Sequence, residues 1–169
     1  MTVLCDRLEN LTTCFLEETT TYRRTGLHTR KTFIKMLDRE MIQSRRYHIP
    51  LSMIGISINN LMEIVLENGY KTEDALIADT ADQLRKHFRA TDTLCRFDNH
   101  YFCVLLPFTT EASGAKILQR VETVLVAHPL KYHSGTVTVS MDLRLFSYDT
   151  QSKKTAGAFV EDAIRLMKK

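Results

Sequence analysis

No C-x-x-C pair occurs in this chain, and its cysteines Cys5, Cys14, Cys95 and Cys103 have no metal-ligand spacing with histidine. Free thiols in a reducing compartment are therefore expected. No run approaches the ~20 apolar residues that cross a bilayer. The first fifteen residues contain Asp6, Arg7 and Glu9, which is unlike a secretory leader. A soluble, cytoplasmic protein is the expectation. Charge of one sign is scarce as well: 23 Lys and Arg stand against 20 Asp and Glu, a net +3. That is too little to argue for nucleic acid and only mildly favours an anionic small ligand. No internal repeat or low-complexity tract is visible.

The composition is that of an ordinary globular domain, 44% hydrophobic and 25% charged. A chain of 169 residues buries roughly two-thirds of its unfolded surface and needs no covalent staples. Residues 1–21 place Val3, Leu4, Leu8, Leu11, Phe15 and Leu16 near one helical face, which predicts an amphipathic packing or dimer-forming arm. Residues 22–169 read as one domain. Thr29 suits the N-cap of a helix over about Arg30–Tyr47, with Phe33, Met36, Leu37, Met41 and Ile42 at helical spacing and Pro50 as a stop. Leu51–Ile58 is almost continuously apolar, as a central strand covered on both faces would be. Asn59-Asn60 and Gly69 bracket a short helix, and Glu73–Phe88 is another, with Leu76, Ile77, Ala81, Leu84 and Phe88 facing inward.

Two apolar runs, Leu94–Phe97 and Tyr101–Leu106, flank Asp98-Asn99, the non-glycine residue types that best tolerate left-handed backbone. That pattern predicts a β-hairpin. A helix over Thr110–Ala127 closed by His128-Pro129, one alternating strand over Thr136–Phe146 and a helix over Ala156–Lys169 complete the chain. The expected class is α+β: a central, mostly antiparallel sheet flanked by helices, with an N-terminal helical arm.

In colinear order, Thr25-Gly26-Leu27-His28-Thr29-Arg30, Leu51–Asn60, Gly69–Asp74, Arg96–Pro107 and Val137–Ser140 resemble the GGDEF domain of diguanylate cyclases over about residues 22–169. The resemblance implies a bacterial signalling module with the nucleotidyl-cyclase-like sheet. In an active member, acidic residues hold metal ions that activate a 3′-hydroxyl of GTP. Here those positions carry Ser57, Asn59 and Tyr101, with His100 beside it. The name motif is replaced by Asp98-Asn99-His100-Tyr101-Phe102, and the guanine-contacting asparagine by Val65, while its acidic partner remains as Asp74. Serine and tyrosine are poor ligands for a hard dication. The resemblance therefore implies no enzyme, an inactive cyclase homologue without catalytic residues, metal or other cofactor.

The same family carries a product-binding R-x-x-D motif five residues before the name motif, and Arg89-Ala90-Thr91-Asp92 stands at that spacing. Its second arginine aligns with Arg120, and Lys116 lies one turn earlier. Arginine forks match guanine O6 and N7, and a carboxylate matches the N1–H and N2–H₂ donors. Alone, Arg89 and Asp92 read as a surface ion pair worth less than about 1 kcal/mol, and Arg120 as a solvated helix face. Together they imply a cyclic di-GMP receptor whose output is a protein partner or self-association into a homodimer. The alternative is a nucleotide-independent interaction scaffold derived from a dead cyclase.

Overall fold

The computed structural model describes residues 21–127, 129–132 and 135–168. Apart from Thr21, the arm expected over residues 1–21 lies outside the described residues, as does His128. In chain order the described elements are α1 (Arg30–Tyr47), β1 (Leu51–Ile58), α2 (Leu61–Asn68), α3 (Lys71–His87), β2 (Thr93–Arg96) and β3 (Tyr101–Pro107). They are followed by α4 (Glu111–Ala127), β4 (Leu130–Tyr132), β5 (Gly135–Val137), β6 (Met141–Ser147) and α5 (Ala156–Met167). The main sheet has the order β2-β3-β1-β6 with antiparallel pairing throughout. The expected α+β architecture is the one formed.

Period-two alternation along β1 and β3 decides how the helices are shared between the faces. Ile54, Ile56 and Ile58 of β1, with Phe102, Val104 and Leu106 of β3, face α2, α3 and α4. Leu51, Met53, Cys103 and Leu105 point the other way, against Phe33, Leu37 and Met41 of α1 and Val160, Ala163 and Met167 of α5. Every residue of β1 is buried, so both faces stabilise it, at about 1.5–3 kcal/mol for each fully buried large aliphatic side chain. Gly55 lets α5 approach closely, because a Cβ there would overlap Met167 Sδ and lie 3.3 Å from Phe146.

Thr29 caps α1 as expected, its Oγ1 accepting from the Thr32 N–H at 3.4 Å. Ile42, expected on the inner face, is 51% exposed. Ser44 turns inward instead and donates to the Ile49 carbonyl at 2.6 Å. The single strand expected over Thr136–Phe146 is two: β5 pairs with β4, and β6 joins the main sheet. The interruption has a local cause. The Asn59 N–H donates to the Ser140 carbonyl at 2.8 Å, and Asn60 Oδ1 accepts from the Ser140 N–H at 2.8 Å. Asn60 therefore ties down residues 138–140 and makes no side-chain cap to α2.

The hairpin forms in the register that sets Cys95 against Cys103. Asp98 and Asn99 stay out of the left-handed region; among the described non-glycine residues only His48 and Phe108 enter it. Four residues, Phe97–His100, join the strands. The Tyr101 carbonyl accepts from Phe97 N–H at 2.8 Å and Asp98 N–H at 3.2 Å, while Asp98 Oδ1 takes the Asn99 N–H at 2.7 Å.

Candidate functional site

Helix α3 ends at His87, and residues 89–92 turn the chain into β2. Asp92 closes that turn twice: Oδ2 accepts from the Arg89 N–H at 2.8 Å, and its own N–H donates to the Arg89 carbonyl at 3.0 Å. The guanidinium–carboxylate pair that the spacing alone suggests is not made. Exposed Arg89 keeps its guanidinium without an ion pair among the described residues. Arg120 arrives from α4, which packs tightly on β6 through Gly114, where a Cβ would lie 2.8 Å from Leu145 Cδ1. Its Nη2 donates to the His87 carbonyl at 2.7 Å, placing a cation on the negative end of α3.

Burial pushes the Asp92 carboxyl above the ordinary aspartate range; the Arg89 N–H bond and the charges of Arg89 and Arg120 oppose that rise. Arg89, Asp92 and Arg120 thus form one electrostatic cluster at the α3–β2 corner. Lys116 is exposed one turn earlier on α4 and makes no ion pair among the described residues.

At the opposite end of β1, Ser57 stands in register with Tyr101 on one side and Asp142 on the other. The Ser57 hydroxyl donates to Asn59 Oδ1 at 2.6 Å. Tyr101 is buried beneath the Lys168 ammonium, which lies 5.5 Å from its ring centre. Burial first, and Asp98 second, push its phenol upward, so it stays protonated. A hydroxyl, an amide oxygen and a neutral phenol beside an ammonium do not fit a hard dication. Among the described residues, no group of three or more His, Cys, Asp or Glu is placed to hold a metal ion.

Between α2, the start of α3 and the hairpin loop lies a cleft of about 400 Å³. Ile58, Leu61, Met62, Val65 and Tyr70 give it apolar walls, and Asn59, Glu73, Asn99 and His100 its polar rim. Sequence reasoning missed the residue that braces this rim. Arg96 reaches Glu73 at 3.7 Å and donates to the Asn99 carbonyl at 3.4 Å, tying the hairpin loop to α3. Tyr22 lies under the same guanidinium at 5.5 Å. Asp74, expected as a surviving guanine contact, is ion-paired with Arg24. Met62 on the cleft wall is 70% exposed. His100 is half-buried on the cleft rim, its ring 4.3 Å from that of Tyr101.

The family model described as "Diguanylate cyclase, GGDEF domain" matches residues 23–169. The chain is 25% identical over 125 residues to diguanylate cyclase DgcP of Pseudomonas aeruginosa, covering 74% of this chain and 19% of that protein. It is 28% identical over 140 residues to the response regulator PleD of Caulobacter vibrioides, covering 80% of this chain and 31% of that protein. The chain therefore spans a third or less of the curated relatives it matches. Among solved structures, the GGDEF domain of DgcB from Caulobacter crescentus in complex with c-di-GMP superimposes with a TM-score of 0.78 at 17% identity, covering 86% of this chain and 84% of that one. No described helix is long and apolar enough to cross a membrane.

These matches correct one expectation. The matching family is that of diguanylate cyclases and a relative at 25% identity carries that name. The inference of no enzymatic activity from Ser57, Asn59 and Tyr101 does not stand: the side chains describe the composition of the site and do not measure its turnover.

Proposed function

The chain belongs to the GGDEF domain family of diguanylate cyclases, and from that membership we propose that it is a cyclic di-GMP receptor whose site is the α3–β2 corner, with Arg89, Asp92, Arg120 and Lys116 as contacts. The observation that carries this reading is the pairing at that corner of an uncommitted guanidinium, Arg89, with a carboxylate held in place by backbone, Asp92. The family relationship and the c-di-GMP complex of the DgcB domain support it.

The chemistry follows from what each group has left to offer. Asp92 uses Oδ2 for the Arg89 N–H, which leaves Oδ1 for the N1–H and N2–H₂ donors of guanine. Arg89 presents a planar fork to O6 and N7, or stacks on the purine. Arg120 and Lys116 bring positive charge to the cyclic phosphates. Each hydrogen bond to a charged group contributes roughly 1.5–3 kcal/mol, and micromolar binding is worth about 8 kcal/mol net of the costs of association, so it takes several such bonds together with purine stacking. The ligand has two guanines, so it joins two copies of the domain or joins the domain to a partner. Binding at this corner does not depend on the groups around Ser57, and no metal or other cofactor takes part in it.

Isothermal titration with cyclic di-GMP tests the reading, using wild type and Arg89→Ala. Arg89 is the cleaner substitution, because Arg120 also caps α3. Micromolar binding by wild type and at least a tenfold loss in the variant are expected. Absence of heat with wild type at several hundred micromolar ligand overturns the proposal.

A further inference from the structure

Helix α2 has a face that the described residues leave uncovered. Its inner residues Leu61, Ile64 and Val65 join the core. Met62 and Leu66, at i and i+4 on α2, are 70% and 73% exposed, and Tyr70, beyond the Gly69 cap, is 81% exposed. Two large apolar side chains at that spacing share one face of a helix, and Tyr70 extends the apolar surface past its end. The stripe runs onto the 400 Å³ cleft, since Met62 and Tyr70 also line it. Contiguous exposed apolar surface with a polar rim marks an interaction site, whereas singly scattered residues do not.

The charge on α2 itself has one sign, with exposed Lys71 following Tyr70 beyond its end. Glu63 and Glu67 lie on the same helix, exposed and without an ion pair among the described residues. Residues 61–70 contain no Lys or Arg. We propose that the Met62–Leu66–Tyr70 face and the adjoining cleft are the docking surface for a basic amphipathic helix of a partner protein. Its apolar residues at i, i+3 and i+4 seat against the stripe, with one of them entering the cleft. Its Lys and Arg residues meet Glu63 and Glu67. This is helix-in-groove recognition, with thioether and phenol surfaces that adapt to the incoming side chain.

Charge also separates the other occupants. The chain's own residues 1–20 carry Asp6, Glu9, Glu17 and Glu18 against Arg7, the wrong sign for this rim. An anionic lipid surface is repelled for the same reason.

The test uses a fluorescein-labelled 14-residue helix-forming peptide of leucine and lysine, with a leucine–glutamate peptide of the same pattern as control. Fluorescence anisotropy is read at physiological salt. Saturable binding of the lysine peptide below about 100 μM is expected, with the glutamate peptide at least tenfold weaker. Met62→Ser with Leu66→Ser, exposed positions that leave the core intact, should weaken binding at least tenfold. Glu63→Lys with Glu67→Lys should reverse the preference between the peptides. No binding by wild type, equal binding of both peptides, or indifference to both double variants overturns the proposal. Sedimentation showing a wild-type dimer that Met62→Ser/Leu66→Ser dissolves, with no peptide binding, assigns the face to a second copy and also overturns it. Failure here leaves the cyclic di-GMP proposal untouched, because the two surfaces share no residue.

Discussion

Asp92→Asn separates binding from folding at the α3–β2 corner. In the free protein the carboxylate accepts the Arg89 N–H at 2.8 Å, and an asparagine Oδ1 replaces that bond at nearly unchanged shape. Burial disfavours the charged form and lifts the Asp92 carboxyl above its ordinary value, against the pull of Arg89 and Arg120. The folded state therefore binds this proton more readily than the unfolded chain. The stabilisation from protonation is fully present below the unfolded pKa and is lost as pH rises through the folded one. At pH 7 the wild type holds an ion where burial resists it, so Asp92→Asn should melt no lower than wild type. As pH falls through the window just above the ordinary aspartate value, wild type should gain on the variant.

Binding should move the other way. An amide offers one acceptor where the carboxylate offers two, and turns its own donors toward the donors of guanine. Loss of one hydrogen bond to a charged group, about 1.5–3 kcal/mol, corresponds to roughly 10- to 150-fold weaker affinity. Thermal unfolding from pH 7 to pH 4 and titration with cyclic di-GMP at pH 7 read the two halves. A variant that melts well below wild type at pH 7 yet binds normally would make Asp92 a turn residue and refute the reasoning.

Two further outcomes test the packing. Gly55→Ala should cost about 1–3 kcal/mol in urea denaturation through overpacking, because the new Cβ overlaps Met167 Sδ; an unchanged midpoint would mean that α5 does not press on β1 there. Burial pushes the Cys103 thiol up to about 12 and Cys95 higher still, so iodoacetamide at pH 8 should spare both in the native protein and modify both in urea. Mass-spectrometric detection of either adduct under native conditions would contradict their burial.

Patterns that depend on near neighbours were legible in the sequence. Thr29 and the apolar spacing after it gave the bounds of α1, and the unbroken apolar run gave a β1 covered on both faces. The turn residues gave the hairpin, but not the register that sets Cys95 against Cys103. The misses share one cause, contacts between residues distant in sequence. Asn60 reads as a helix cap, but its side chain bonds 80 residues away at Ser140, which breaks the strand expected across 138–140. Ile42 fits a helical apolar pattern, yet no described residue covers it, and periodicity cannot tell a covered face from an open one. At the corner, sequence placed Arg89, Asp92 and Arg120 together but misassigned the bonds. Asp92 serves backbone rather than the Arg89 guanidinium, and Arg120 caps a helix end. Arg96 carried no signal of its role, which depends on Glu73 reaching it from another element.

The central claim is a ligand at the α3–β2 corner, and amide chemical-shift mapping addresses it most directly. Nitrogen-15-labelled protein titrated with cyclic di-GMP should show saturable shifts at Arg89, Asp92 and Thr93 and along Lys116–Arg120, with Ser57, Asn59 and His100 unmoved. Shifts confined to the Ser57–His100 end of the sheet, or none at saturating ligand, would contradict it.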